Sequence, residues 1–188
     1  MAPESSSAVC DSAAMELVTS RLVLREYTCD DLDAAHRFAS DPENVRFVAW
    51  GPNRHEDTRL FLEGWLEEQA TYPRTGWTFA VTEPGGEPFG SVGLYRKGPY
   101  DAETGFVISR DRAGAGYASE AAAAVLRFGF DTVGVHRIWA TCRPENVASS
   151  RVLEKIGMQR EGHLRDHVMV RGEWQDSLLY AAIAPQGV

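Results

Sequence analysis

From Gly76 onward the apolar residues fall on every second position: Trp77, Phe79 and Val81 alternate with Thr78, Ala80 and Thr82, the period of a strand. Pro84-Gly85-Gly86 then predicts a hairpin turn into a second arm from Phe89 to Arg96. Gly98-Pro99 turns the chain again into a strand from Glu103 to Ser109, which gives an antiparallel meander. Upstream, Leu17, Val18, Leu22, Val23 and Leu24 predict one opening strand that ends at Glu26 and Tyr27. Thr28 with Asp31 three residues later reads as a helix start, and Leu32, Ala35 and Ala39 give that helix an apolar stripe as far as Asp41-Pro42. Residues 42–54 are rich in turn formers and carry Phe47 and Trp50. Asn53 and Glu56 are expected to cap a second helix bearing Phe61, Leu62, Trp65 and Leu66.

After the meander the period lengthens. Ala118, Ala121, Ala122, Val125 and Gly129 share one helical face; His136 to Arg143 alternates again; Asn146 to Ile156 reads as a helix closed by Gly157. Two last strands, roughly Met158 to Val170 and Glu173 to Ala184, are joined by Arg171-Gly172. The order β α α β β β α β α β β, with short connections and no repeat or linker, predicts one α/β (α+β) domain over residues 15–184, with a mixed sheet and helices on its faces. Residues 1–14 read as a disordered tail and 185–188 as a frayed end.

Composition narrows the function classes. The 188 residues carry 19 Lys+Arg and 27 Asp+Glu, a formal charge of −8, which opposes general nucleic-acid binding and mildly favours cationic partners such as amines. The longest apolar run, Ala121 to Leu126, is far short of the ~20 residues of a membrane span, so no membrane association is expected. Cys10, Cys29 and Cys142 form no CxxC pair, which fits neither a disulfide framework nor zinc and suits a cytoplasmic protein. His163 and His167 would share a helix face, but the segment reads as a strand, so no metal site is expected.

The most informative segment is Arg112-Ala113-Gly114-Ala115-Gly116-Tyr117, a glycine loop between a strand and a helix. Glycines permit close backbone approach, and the N–H groups at a helix head converge on an anion. The loop lacks the lysine and Ser/Thr of a nucleotide-triphosphate loop and the third glycine of a dinucleotide fingerprint. On its own it is equally a turn that starts a helix.

With its neighbours, the segment resembles the acyl-CoA loop of the Gcn5-related N-acetyltransferase (GNAT) superfamily. The rest of the chain resembles the branch that acetylates ribosomal-protein N-termini (RimJ/RimL-type). The pieces that carry this are Thr19-Ser20-Arg21-Leu22-Val23-Leu24-Arg25, Gly90-Ser91-Val92-Gly93-Leu94, Glu103-Thr104-Gly105-Phe106, Gly114-Ala115-Gly116-Tyr117-Ala118-Ser119-Glu120-Ala121 and Asn146-Val147-Ala148-Ser149-Ser150-Arg151-Val152-Leu153-Glu154-Lys155-Ile156-Gly157-Met158. Glu161-Gly162, Arg165, Gly172-Glu173-Trp174-Gln175-Asp176 and Tyr180 extend the likeness to the tail.

The resemblance implies a mostly antiparallel sheet of about seven strands, about four helices, and a splayed central pair, Glu103–Ser109 and His136–Arg143, that admits the pantetheine arm. It implies acetyl-CoA (coenzyme A) as acyl donor, no metal, and direct transfer to an amine acceptor, either a peptide N-terminus or a small molecule such as an antibiotic. Arg112, Ala113, Gly114, Ala115, Gly116, Tyr117 and Ala118 would hold the pyrophosphate, and the backbone around Val107 and Ile108 the oxyanion. Two roles are open to Asn146, helix cap and pantetheine contact. Ser149 either bonds its own helix or lies near the sulfur and returns a proton to the thiolate.

Amine attack on a thioester needs a proton acceptor, and Glu103 on the flanking strand is the first candidate, directly or through water. Asp101, Asp111 and Asp176 remain as other acids. Phe47, Trp50 and Arg54 match the acceptor-side loop. The chain departs from the family at Asp111, where Gln or Arg is common, at Leu153, where many members carry a tyrosine acid, and at Met158, where phenylalanine is commoner. The acid's role then passes to Ser149, to water or to nothing, with Tyr180 and Tyr117 as further candidates. A non-catalytic acyl-CoA-binding module, a longer acyl donor and a homodimer are the alternatives left open.

Overall fold

The computed structural model describes residues 15–185; the expected tail at 1–14 and the last residues, 186–188, lie outside the described residues. Eight strands form one sheet: β1 (Glu16–Val18), β2 (Val23–Glu26), β3 (Gly76–Thr82), β4 (Gly90–Arg96), β5 (Asp101–Ile108), β6 (Arg137–Cys142), β7 (Gln159–Val170) and β8 (Glu173–Ile183). Four α-helices accompany them: α1 (Leu32–Ala39), α2 (His55–Ala70), α3 (Tyr117–Phe128) and α4 (Val147–Lys155). The expected opening strand is two strands, which raises the count from seven to eight. Thr19 breaks it: its N–H donates to the Leu22 carbonyl and its Oγ1 accepts the Leu22 N–H, each at 2.9 Å, and the chain folds back as a hairpin.

Thr28 and Asp31 do form a capping box, with the Thr28 N–H 2.8 Å from Asp31 Oδ2. The second helix is capped one residue later than expected. Arg54 is the cap, its N–H donating to Asp57 Oδ2 at 2.9 Å, while Asn53 is buried and donates from its backbone to the Ala39 carbonyl. The β7–β8 turn uses Arg171 and Gly172, both left-handed at φ 50° and 89°, as a two-residue hairpin requires.

Strands run in the order β1-β2-β3-β4-β5-β6-β8-β7, every neighbouring pair antiparallel except β5 and β6. That parallel pair is joined by a crossover through α3, because parallel neighbours cannot be linked by a tight turn. Pairing between them covers only Asp101–Glu103 against Arg137–Trp139. Beyond Glu103 the two strands part, while β4 stays bonded to β5 and β8 to β6 along their lengths.

Two apolar clusters flank the sheet. The larger holds Leu94, Ala102, Val125, Phe128, Ile138 and Leu153 under α3 and α4. The helix reaches the sheet closely because Gly129 follows it: a Cβ there would lie 2.5 Å from Ile138 Cδ1. On the opposite face, Tyr27, Phe38, Leu62 and Ala80 form a smaller cluster with α1 and α2, against which Trp50, Trp65 and Val107 pack. No helix among the described residues is long and apolar enough to cross a membrane.

Candidate active site

Where β5 and β6 part, a continuous cleft of about 1030 Å³ runs from the glycine loop to the aromatic residues of the smaller cluster. It brings together Glu103, Val107, Ile108, Arg112, Ala113, Gly114, Gly116, Tyr117, Ala118, Asn146, Ser149, Phe47 and Trp50. Ala115 and Arg54 are not on its wall. The Ala115 carbonyl accepts from Arg21 Nη1, and Arg54, largely exposed, is bound to Asp57 at the head of α2.

At the loop end, a short turn of helix over Arg110–Arg112 leads to Gly114 and Gly116, both left-handed at φ 80° and 84°, with Gly116 capping α3. A Cβ on Gly114 would touch nothing, and one on Gly116 would come within 3.5 Å of Arg21 Nη2 and 4.0 Å of Lys155 Nζ. The loop thus offers bare backbone with two cations beside it, a fit for a pyrophosphate. The head of α3 is clamped from the β1–β2 turn. Thr19 Oγ1, Ser20 Oγ and the Arg21 N–H donate to Glu120 Oε1 at 2.6, 2.9 and 2.9 Å, and Arg21 Nε to Oε2 at 2.7 Å. Burial alone would raise this carboxyl, but the bonds from Thr19, Arg21 and Ser20 outweigh it and hold Glu120 at about 2. Arg112 reaches Glu83 at 3.3 Å, and Tyr117 Oη donates to the same carboxylate at 2.8 Å.

In the middle of the cleft, the β5 backbone beyond Glu103 has β4 on one side and no strand on the other. Asn146 is the α4 cap, its Oδ1 accepting the Ser149 N–H at 3.1 Å, which still leaves its amide N–H groups to a ligand. Ser149 is half-buried on the cleft wall, and its hydroxyl has no partner among the described residues. Ser150, its neighbour, is the one that meets Cys142, at 3.3 Å. Leu153 is fully buried in the core. The other phenols are committed elsewhere, Tyr180 Oη donating to Glu154 at 3.2 Å and Tyr117 to Glu83.

Glu103 lies on the cleft wall with Lys97 Nζ 2.9 Å from its Oε2. The other expected acids are off the wall. Asp101 accepts from Trp139 Nε1, Asp111 from Ser109 Oγ, and Asp176 from His163 and the Asp166 N–H.

At the far end, aromatic rings form a chain: Trp50 meets Phe61 edge-on at 5.7 Å, Phe61 meets Trp65 at 6.3 Å, and Trp65 stacks on Tyr27 at 4.6 Å. The loop carrying Phe47 and Trp50 is held from the other end of the chain. Arg171 donates to the carbonyls of Val45, Arg46, Gly51 and Trp50 at 3.0, 3.3, 3.1 and 3.5 Å. His167 is also on the wall, its Nδ1 2.7 Å from the buried Ser177 hydroxyl. Sequence reasoning missed Phe61, Trp65, Arg143, His167 and Arg171. Helical spacing did put Phe61 and Trp65 on one face, but nothing local connected Arg143, His167 or Arg171 to the site.

Comparison with known proteins agrees with this geometry. Residues 21–159 match the family model described as the acetyltransferase (GNAT) domain. A GNAT-family acetyltransferase from Bacillus anthracis is 34% identical and superimposes with a TM-score of 0.80 over 90% of this chain and 98% of its own. Mycobacterium smegmatis RimJ, solved in complex with CoA-disulfide, is 27% identical with a TM-score of 0.76 over 87% of this chain and 82% of its own. The [ribosomal protein uS5]-alanine N-acetyltransferase of Escherichia coli is 28% identical over 91% of this chain and 92% of its own. The cleft, the parted strands and these matches together make this chain a member of the GNAT family, an acyltransferase of the N-acetyltransferase kind.

Proposed function

We propose that the protein transfers an acetyl group directly from acetyl-CoA to a primary amine. One observation carries this reading: a single cleft joins an anion-binding glycine loop to an aromatic chamber through the gap between β5 and β6. The donor's pyrophosphate fits the backbone of Arg112 to Ala118, with Lys155 and Arg21 adding charge. Its pantetheine amides satisfy the open edge of β5 as a strand would. The amine enters from the side of Phe47 and Trp50. As its nitrogen attacks the thioester carbonyl, Glu103 takes the proton, directly or through water, and a backbone N–H at Val107–Ile108 meets the oxyanion. The C–S bond then breaks, and Ser149, whose hydroxyl has no partner among the described residues, donates a proton to the leaving thiolate.

The Escherichia coli relative takes a protein N-terminal alanine, so peptide N-termini and small amines are the two acceptor classes to compare. The test is thiol release from acetyl-CoA across a panel of both, with the acetylated product identified by mass. Stoichiometric thiol and acetyl-amine are expected. Tight coenzyme A binding without turnover on any amine would replace this reading with a binding module.

A further inference from the structure

Two half-buried arginines are paired with carboxylates. Arg25 binds Asp31 through two bonds of 2.7 Å, and Arg74 is ion-paired with Glu26. Arg143 breaks that pattern. It is 6% exposed, follows β6 directly, lies on the cleft wall, and makes no ion pair or side-chain hydrogen bond with any described residue. Its Nη1 is sealed from solvent without an acceptor. A guanidinium keeps its charge in proteins, so it cannot relieve burial by losing a proton, and a lone buried cation is strongly unfavourable until an anion meets it. Burial pushes this group's pKa down, with only the charges of Cys142, Glu145 and Asp176 opposing.

The cleft also runs against the sign of the whole chain. Its wall carries Arg110, Arg112, Arg143 and Arg151 against Glu43 and Glu103, although the formal charge of the chain is −8. Arg110 and Arg112 belong to the approach of the glycine loop, where the donor's phosphates account for them. Arg143 follows β6, the strand that parts from β5, and lines the same cleft as His167, Val168 and Val170 of β7. It is not part of the 112–118 loop to which the donor's phosphates are assigned.

We infer that Arg143 is the subsite for a carboxylate carried by the acceptor, so that the preferred substrate is an amine bearing both an acid group and an apolar or aromatic side chain. The aromatic chamber of Trp50, Phe61 and Trp65 takes the side chain, and the Nε–Nη2 edge of the guanidinium, which unlike Nη1 is not sealed from solvent, takes the two carboxylate oxygens. A simple polyamine, cationic throughout, is disfavoured by the same residue. This inference rests on the amine-acceptor reading above.

The test uses matched ligands that differ only in the acid. With coenzyme A present, calorimetry compares N-acetyl-L-phenylalanine with N-acetyl-L-phenylalaninamide, and turnover compares L-phenylalanine with its amide. In a second pair the acid lies on residue two, Phe-Asp-Gly against Phe-Asn-Gly, both amidated at the C-terminus. The carboxylate is expected to improve binding and kcat/KM by about tenfold or more, as a charge-assisted pair should. The pair that shows the preference identifies the carboxylate as the α-carboxylate or a side chain. R143Q should abolish the preference and leave acetyl-CoA affinity unchanged; R143K, with charge but no fork, should keep part of it.

Equal affinity for acid and amide in both pairs overturns the inference, and because this is read on the wild-type protein it does not depend on a folded variant. So does a preference that survives R143Q, or an R143Q variant whose only loss is acetyl-CoA affinity. Turnover of the amides with no acid preference removes the Arg143 subsite and leaves acetyl transfer standing. A binding preference without any turnover does the reverse.

Discussion

The two ends of the cleft are built in different ways. At the donor end the groups proposed to meet a pyrophosphate are consecutive in the chain, Arg112 to Ala118, and their conformation is local: two left-handed glycines and a helix head. At the acceptor end the wall comes from the 44–50 loop, from α2 and from β7, and Arg171, more than 100 residues away, holds the loop by four carbonyls. On the proposed reading, the donor end would meet an invariant group with backbone and the acceptor end a variable one with side chains. Contiguity follows from that division, because a backbone cradle needs neighbouring N–H groups and a side-chain chamber does not.

The sharpest test of the donor end is Gly116→Trp. An L side chain at φ 84° is strained by about 1–2 kcal/mol, and the indole would fill the space beside Arg21 and Lys155. Acetyl-CoA affinity measured by calorimetry should fall by about 100-fold or more, with the circular dichroism spectrum retained; unchanged affinity would remove the pyrophosphate from this loop. Between the two ends, Glu103→Gln should lower kcat by about 10²-fold while acetyl-CoA binding stays the same. Normal turnover near neutral pH would take the proton-acceptor role from Glu103.

At the acceptor end, Arg171→Ala should raise the acceptor KM by about tenfold with little change in kcat or in acetyl-CoA affinity, since it only positions the Phe47–Trp50 loop. Arg171→Lys should restore part of the loss. Equal effects on both substrates would show that Arg171 supports the whole fold instead. The smallest effect is expected in the scaffold of the donor end. Glu120 is depressed to about 2 in the folded protein, so its contribution to stability is complete above the unfolded carboxyl range near 4.5 and is lost as pH falls toward 2. Glu120→Gln should lower stability at neutral pH and flatten its fall between pH 4.5 and 2. Parallel acid-unfolding curves for the two proteins would show that the Thr19–Arg21 clamp carries no linked charge.

Much of the fold could be read from periodicity. The meander, the Thr28 cap, the Asn146 cap and the Arg171-Gly172 turn each depend on residues within a few positions of one another. The opening hairpin could not, because Thr19-Ser20-Arg21 interrupts the strand in order to bind Glu120, about 100 residues on. The same distinction separates Phe47 and Trp50, which reach the cleft, from Arg54, which shares their loop but turns to Asp57.

The charge balance was informative only as a sum. A net −8 suggested attraction for amines, yet the cleft wall carries more arginines than carboxylates, with a buried cation at Arg143. The sequence by itself determined the element order apart from the opening hairpin, and the glycine loop, because hydrophobic period, caps and φ preferences act over a few residues; the order of its motifs carried the resemblance to the family. Only the tertiary structure decided where β5 and β6 part, which side chains face the gap, and which cation is left without a partner. Those depend on contacts between residues far apart in the chain, and no local pattern encodes them.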